Sequence, residues 1–365
     1  MNDEHWKSIL GSDADSLEPL VAKLSSEDGP ADIAGTWPDR LWGALVEARA
    51  TRWSIPIEFG GVELDRSTLL TRYARVAEGS LTAAFILSQH DASVRRLIAS
   101  GPTATARSWL EKIAAGAAFT TVGISQLTTS QRRGTSALTA LQVDGGYVLN
   151  GVMPWVTAAE RASVIVTGAV IAESNEQLLI AVPTDRSGID IRPAFDLAAL
   201  QASRTTEVGC REVFVASDEI LIGPIPDVMS AASKPGGTGG LETSALALGQ
   251  ARASIDALGE QALRREDLRA PLDALRRSWR DHWNELIAAA SESPSAPPAS
   301  RVRERANALV GRASQAYLTA RKGSGFLRSD PAQRLARQAL FFLVWSCPAP
   351  IAAAAIRDFA GSTCD

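Results

Sequence analysis

Three observations on this 365-residue chain predict an α+β fold built as helices, then strands, then helices. Apolar residues recur at helical spacing to about residue 118. Short Val-, Ile- and Thr-rich runs broken by turns fill 119–225, and helical spacing then returns to the end. The expected domains are an all-helical N-terminal domain over 1–118, a middle β-sandwich or barrel over 119–225, and a C-terminal helical bundle over 226–365. That order excludes a parallel α/β sheet, and no Gly-x-Gly-x-x-Gly joins a strand to a helix, so no dinucleotide fingerprint is present.

In the first domain, Leu41, Trp42, Leu45 and Val46 define one apolar helix face, and Leu69, Leu70, Tyr73, Val76 and Ala77 define another. Ile55-Pro-Ile-Glu-Phe-Gly-Gly61 breaks the helices with a Pro step and a Gly turn. A buried helix is expected from Ala83 to Ile98, ended by Gly101-Pro102, with a short helix from Trp109 to Ile113. His90 falls on the longer of these as a partly exposed residue. The expected strands are Phe119 to Ile124, Ala137 to Val143, Tyr147 to Leu149, Ala162 to Val170, Leu178 to Val182 and Val208 to Val215. Residues 226–240, rich in Gly, Ser and Pro, read as a linker, and Ser291 to Ser300 as a surface loop.

Composition sets the outer limits. Hydrophobic residues make up 45% and charged residues 21%, the balance of a globular protein with well-buried cores. A net charge of −4 gives no pull toward nucleic acid or an anionic membrane. Arg clusters at Arg264-Arg265, Arg276-Arg277 and Arg301 to Arg305 read as solvated helix faces. Three cysteines, Cys210, Cys347 and Cys364, and three histidines form no disulfide ladder and no metal-ligand spacing. No segment resembles a signal peptide or approaches a membrane span, so the expectation is a cytoplasmic protein with reduced thiols.

The most informative stretch is Gly145-Gly-Tyr-Val-Leu-Asn-Gly-Val-Met-Pro-Trp-Val-Thr-Ala-Ala159. A Gly-Gly turn enters a strand, Asn150-Gly151 reads as a second turn, and Trp155 stands two residues before Thr157. Positions two apart on a strand share a face, so a flat indole would lie beside a hydroxyl, an arrangement suited to a planar heteroaromatic ligand. Trp and Thr are also ordinary strand residues. Thr121-Val-Gly-Ile-Ser-Gln-Leu-Thr-Thr-Ser130 ends a strand in a loop of hydroxyls and Gly, either a ligand edge or a polar turn. Glu242 opens the helix from Leu241 to Ala251, above Ala245, Leu246, Gly249 and Ala253. A carboxylate over small apolar residues points inward as a general base must. A Glu in a first helical turn also simply complements the helix dipole.

These segments, in this order, resemble the acyl-CoA dehydrogenase family. The central stretch is similar to its G-Y-x-L-N-G-x-K-x-W-I-T-N-A, with Met153 in place of Lys. Pro56-Ile-Glu-Phe-Gly-Gly61 resembles P-E-x-Y-G-G, and Gly101 through Gly116 and Ser203 through Asp218 resemble further family segments. The resemblance implies the three-domain fold, an FAD cofactor, an acyl thioester substrate and a homo-oligomer that hands electrons to an electron-transfer flavoprotein. It implies flavin contacts at Val122, Gly123, Ser125, Trp155, Val156 and Thr157, with Thr157 near flavin N5. Thr128 and Thr129 take substrate positions in a loop that has lost the family's acidic residue, Pro and Gly-Ser.

Isovaleryl and long-chain members carry their base seven residues before a Gly, the spacing of Glu242 and Gly249, so Glu242 takes the base role and Gly249 lines the substrate. Here Thr243 replaces the Arg that follows the base. The alternative C-terminal base position holds Ser346. Lys322-Gly-Ser-Gly-Phe326 weakly resembles a pyrophosphate-binding segment, which would give Gly323 and Gly325 cofactor roles, with Thr319 in the Gln position. The family's R-x-x-F-G segment is missing, leaving Arg276 or Arg277 as substitutes. These departures keep two rivals in view: a flavin-dependent monooxygenase on the same fold, fed by a flavin reductase, and a non-catalytic relative acting as a binding or assembly partner.

Overall fold

The computed structural model describes residues 17–128, 137–232, 240–291, 296–345, 347 and 349–361. Among the described residues five helices come first: α1 (Glu18–Ala34), α2 (Asp39–Glu47), α3 (Arg66–Gly79), α4 (Leu81–Ala99) and α5 (Ala104–Ala114). The strands follow as β1 (Thr120–Gly123), β2 (Leu138–Val143), β3 (Gly146–Val156), β4 (Val164–Ile171), β5 (Gln177–Pro183), β6 (Ile189–Ile191), β7 (Thr206–Ala216) and β8 (Ile220–Ile225). After a single turn of helix α6 (Val228–Ala231) come α7 (Leu241–Ala262), α8 (Arg269–Ala290), α9 (Ala299–Arg321), α10 (Pro331–Ala339), α11 (Phe341–Val344) and α12 (Ala349–Phe359). The expected order of helices, sheet and helices is the one observed. Among the described residues no helix is long and apolar enough to cross a membrane.

Local chemistry starts the helices at definite residues. Asp65 accepts from the backbone N–H groups of Ser67 and Thr68 at the head of α3, and Ser80 accepts from Ala83 at the head of α4. The eight strands form one sheet in the order β6-β7-β3-β2-β4-β5-β8, with β1 parallel to β4. β4 is buried on both faces. Ile165, Ala169 and Ile171 enter the core inside the sheet, and Val164 and Val166 pack against Val94, Leu97, Leu110 and Ile113 of α4 and α5. A strand covered on both sides loses polar–apolar alternation, which is why β4 reads as a continuous apolar run.

Three readings are corrected. Asn150-Gly151 is no turn: β3 runs through it, and the register shift between Leu149 and Gly151 comes from an extra residue in β7, where Arg211 and Glu212 stand opposite Asn150. Gly151 has φ +125°, and a Cβ there would meet the Ala137 carbonyl, so only Gly fits. The 226–240 linker begins with α6, and β6 and β8 have no counterpart among the expected strands. His90 is fully buried, its Nε2 3.3 Å from the Thr51 carbonyl and its ring edge-on to Trp42. One apolar core also runs through both helical regions, from Leu24, Tyr73 and Phe85 to Leu246, Trp283 and Phe342.

Candidate active site

One wall of the site is built from β3. Its register with β7 shifts between Met153 and Val156, and Trp155 adopts the left-handed region with φ +58°. That conformation costs a non-glycine residue on the order of 1 kcal/mol and persists only where neighbours enforce it. Here Ser125 Oγ donates to the Pro154 carbonyl at 2.7 Å, and Ala158 N–H donates to the Ser203 carbonyl at 3.0 Å. The bulge ends the two-residue alternation. Trp155 turns outward and stays 44% exposed, whereas Thr157 is buried. The shared face expected for these two residues is therefore not formed.

The open indole has aromatic neighbours on two sides. Phe195 lies 4.9 Å away at a tilt, and Trp345 lies 6.5 Å away, perpendicular to it. Behind it, Thr157 Oγ1 is 3.1 Å from Thr205 Oγ1, which is 2.9 Å from Ser203 Oγ. Three hydroxyls joined by two hydrogen bonds leave one O–H over. If the chain runs from Ser203 through Thr205, that spare donor belongs to Thr157.

The residues carried over on the β1 side support this wall more than they face a ligand. Val122 is buried among Val164, Val166 and the α4 and α5 helices, and Val156 points into the sheet core. Gly123 lies so close to the bulge that a Cβ would stand 3.1–3.3 Å from Val156, Met153 and Ile165 side chains. Its carbonyl accepts from Gln126 Nε2 and from Thr167 Oγ1. Any ligand contact by Val122, Gly123 or Val156 is consequently a backbone contact. Thr128 is exposed at the end of the loop, and Thr129 lies outside the described residues.

The second wall is helical. Glu242 sits in the first turn of α7, its side chain 12% exposed, and its Oε1 accepts from Arg95 of α4 at 2.8 Å. The isolated, desolvated carboxylate expected at this position is instead one half of an ion pair. Arg95 reaches the Tyr73 hydroxyl at 3.4 Å, and that hydroxyl donates to the buried Asp91 carboxylate. Burial pushes the Asp91 carboxyl up from its usual range, against the pull of His90 and Tyr73. Burial opposes the charge on Arg95, but Glu242, Tyr73 and Asp91 outweigh it and its pKa is raised. On α9, Arg303 donates to the Trp345 carbonyl at 3.0 Å and Asn307 to the Phe342 carbonyl at 2.8 Å. These bonds fix α11 and the Trp345 ring, which stacks on Phe341 and meets Phe85 edge-on. The sequence reading missed Arg95, Tyr73, Asp91 and Arg303. The adjacent Arg95 and Arg96 on a largely buried helix were the available signal.

Packing accounts for two of the carried-over glycines. A Cβ on Gly249 would stand 2.1 Å from the Ala74 carbonyl and 2.9 Å from Ala77 Cβ, so this glycine lets α7 pack directly on α3. Gly325 is confined beneath Leu318 and Arg321, which explains it as a turn glycine at the end of α9. Gly323 is exposed with open space around it. Arg276 faces away from this site, in a charged cleft of about 520 Å³ shared with Arg75, Glu78, Arg252 and Asp256.

No protein-family model matches the chain. Among curated proteins, it is 27% identical over 169 residues to the probable acyl-CoA dehydrogenase YngJ of Bacillus subtilis, covering 45% of this chain and 44% of that one. It is 24% identical over 252 residues to benzylmalonyl-CoA dehydrogenase of Aromatoleum aromaticum, covering 69% and 67%. The match thus spans under half of the Bacillus relative. Among solved structures, a glutaryl-CoA dehydrogenase in complex with glutaryl-CoA superposes with a TM-score of 0.83 at 17% identity, over 100% of this chain and 96% of that one. Dibenzothiophene monooxygenase TdsC from Paenibacillus sp. A11-2 superposes with a TM-score of 0.76 at 16% identity, over 96% and 97%.

Proposed function

On the premise, supported by its curated relatives and its fold, of an acyl-CoA dehydrogenase family assignment, we propose that this chain is an FAD-dependent oxidoreductase that introduces an α,β double bond into an acyl thioester. The observation that carries the reading is the half-exposed Trp155 indole, held out of its strand by the bulge and set against the Trp345 edge. Trp155 would take the flat face of the flavin, Thr157 would supply the spare hydroxyl proton of its three-residue chain, and Val122, Gly123 and Ser125 would meet the ring edge through backbone groups. FAD, when bound, supplies the two-electron acceptor for the hydride lost from the β-carbon.

The protein's own chemical task is proton removal. Glu242 Oε takes the proton from the α-carbon as that C–H bond breaks, and the electron pair left behind forms the double bond as hydride departs the β-carbon. Glu242 accepts from Arg95 through Oε1. It must have a free oxygen directed at the substrate. The aromatic wall of Phe85, Phe341 and Trp345 excludes water from this step and strengthens each charge within it.

A homo-oligomer, an electron-transfer flavoprotein as acceptor and a cytoplasmic location complete the proposal. The exposed side chains of Leu263, Phe326 and Leu327 in the helical region are compatible with a second copy. The test is anaerobic mixing of flavin-loaded protein with a panel of acyl-CoA thioesters. Bleaching of the flavin that Glu242→Gln abolishes is the expected result. Oxygen consumption with supplied reduced flavin and no bleaching would favour the monooxygenase reading. Stable folding with no flavin uptake would favour a non-catalytic partner.

A further inference from the structure

A second aromatic ring stands at the β wall, on a segment to which the proposed reaction gives no task. Phe195 belongs to the connection between β6 and β7, and its ring lies 4.9 Å from the Trp155 indole at an angle of 56°. Both side chains are partly open to solvent. Two open rings set at such an angle form a corner, not a closed stack. Among the described residues Phe195 joins none of the apolar cores, so packing of the domain does not explain its ring.

The connection that carries Phe195 is braced more heavily than a surface loop requires. Gln201 spends both ends of its amide on it. Its Oε1 accepts from the Leu197 N–H at 2.7 Å, and its Nε2 donates to the Phe195 carbonyl at 2.9 Å. One side chain thereby does the work of a neighbouring strand for residues 195–197. From the other side, the Phe195 N–H donates to the Thr205 carbonyl at 2.9 Å, and Thr205 is the middle member of the hydroxyl chain that reaches Thr157. Gln201 is itself confined by α1, since a Cβ on Gly35 would stand 2.9 Å from its Cγ. Arg337 of α10 donates to the Ala198 carbonyl at 2.9 Å while pairing with Asp32 of α1. Leu200 and Arg204 take the left-handed region, at φ +59° and +53°, a cost that persists only where neighbours enforce it. These braces set the Phe195 backbone as firmly as the bulge sets Trp155, and they leave the ring at the indole.

We propose that Phe195 is a cofactor-contacting residue, the second aromatic side of the seat whose first side is Trp155, and that Gln201 is its positioning residue. The proposal rests on the flavin reading of the β wall and extends it to a segment of the chain that reading does not use. A flat conjugated ring gains from aromatic faces beyond their area, whereas an acyl chain gains as much from Leu as from Phe. That difference decides the test.

FAD titrations of the full chain, followed by flavin absorbance with a thermal melt beside each, compare the unmodified protein with Phe195→Leu, Phe195→Tyr and Gln201→Ala. Phe195→Leu should weaken FAD by about 2- to 10-fold, the worth of one aromatic contact, and Phe195→Tyr, which keeps the ring, should retain the affinity. Gln201→Ala should weaken FAD in the unmodified background and add nothing to Phe195→Leu, because it acts through that ring. Equal FAD affinity in Phe195→Leu and the unmodified protein overturns the proposal and leaves the flavin reading standing. Equal weakening by Leu and Tyr makes the side chain structural and overturns the contact. An additive Gln201→Ala effect overturns the positioning role. No FAD uptake by the unmodified protein overturns the proposal and the flavin reading together.

Discussion

The two walls of the site differ in what holds them. The β wall is neutral, open and fixed locally: Trp155, Thr157, Ser125 and Ser203 are set by a bulge and short hydrogen bonds around one strand end. The helical wall is charged, mostly enclosed and fixed at long range, with Glu242 of α7 tied to Arg95 of α4 and Arg303 of α9 tied to Trp345. A neutral, open surface can receive a flat ring with little rearrangement. On the proposed reading, the neutral wall would receive the cofactor and the charged wall the reacting end of the substrate.

The largest expected effect strikes the helical wall. Glu242→Gln should lower dehydrogenation by roughly 10²- to 10⁴-fold, the usual worth of a positioned acid–base group. Flavin affinity, which the proposed function assigns to the β wall, should be retained. Loss of both together would mean that the walls are one unit.

Next comes the packing under that wall. Gly249→Ala would press a methyl into the Ala74 carbonyl, so α7 must move off α3. A destabilisation of about 1–3 kcal/mol is expected in denaturant melts, the range for overpacking a tight contact. A variant with unchanged stability but an altered KM would restore Gly249 to a substrate role.

Acid should separate helices from sheet. His282, buried on α8, is held down at about 4 by desolvation and by Arg305 and Arg312. Burial lowers His90 as well. An unfolded chain takes up these protons near pH 6.5 while the folded one refuses them, so stability is complete above that pH and is lost as pH falls toward 4. For His282 alone the loss reaches about 2 kcal/mol by pH 5. Fluorescence of the stacked Trp279 and Trp283 pair should report helical loosening before the strand signal changes, and His282→Asn should flatten the slope. A melt that is level between pH 7 and 5 would exclude a buried neutral His282.

The same contrast decides what the sequence reveals. The three-part fold is legible because its signals are periodic and local, and β1, β2, β4, β5 and β7 stand close to where Val-, Ile- and Thr-rich runs put them. The strand β6, three residues long, and β8, interrupted by Gly223-Pro224, carry too little pattern to be found. Trp155 is legible as a candidate, but its direction is not: strand alternation predicts a shared face with Thr157, and the bulge overrides it. Glu242 is legible from the apolar stripe below it. Its pairing with Arg95 is not, because no local rule joins the first turn of α7 to the middle of α4. The glycines mislead for a related reason, since Gly249 and Gly325 answer to backbone contacts made by distant segments.

The most direct measurement of the central claim is an FAD titration of the full chain, followed by flavin absorbance, with Trp155→Ala beside it. The Trp155 side chain is 44% exposed, so its removal should scarcely change the fold. The account predicts stoichiometric FAD uptake by the unmodified protein and an affinity loss of about fivefold in the variant, corresponding to the ~1 kcal/mol of an aromatic pair. Uptake with identical affinity in both proteins, or none in either, would contradict it.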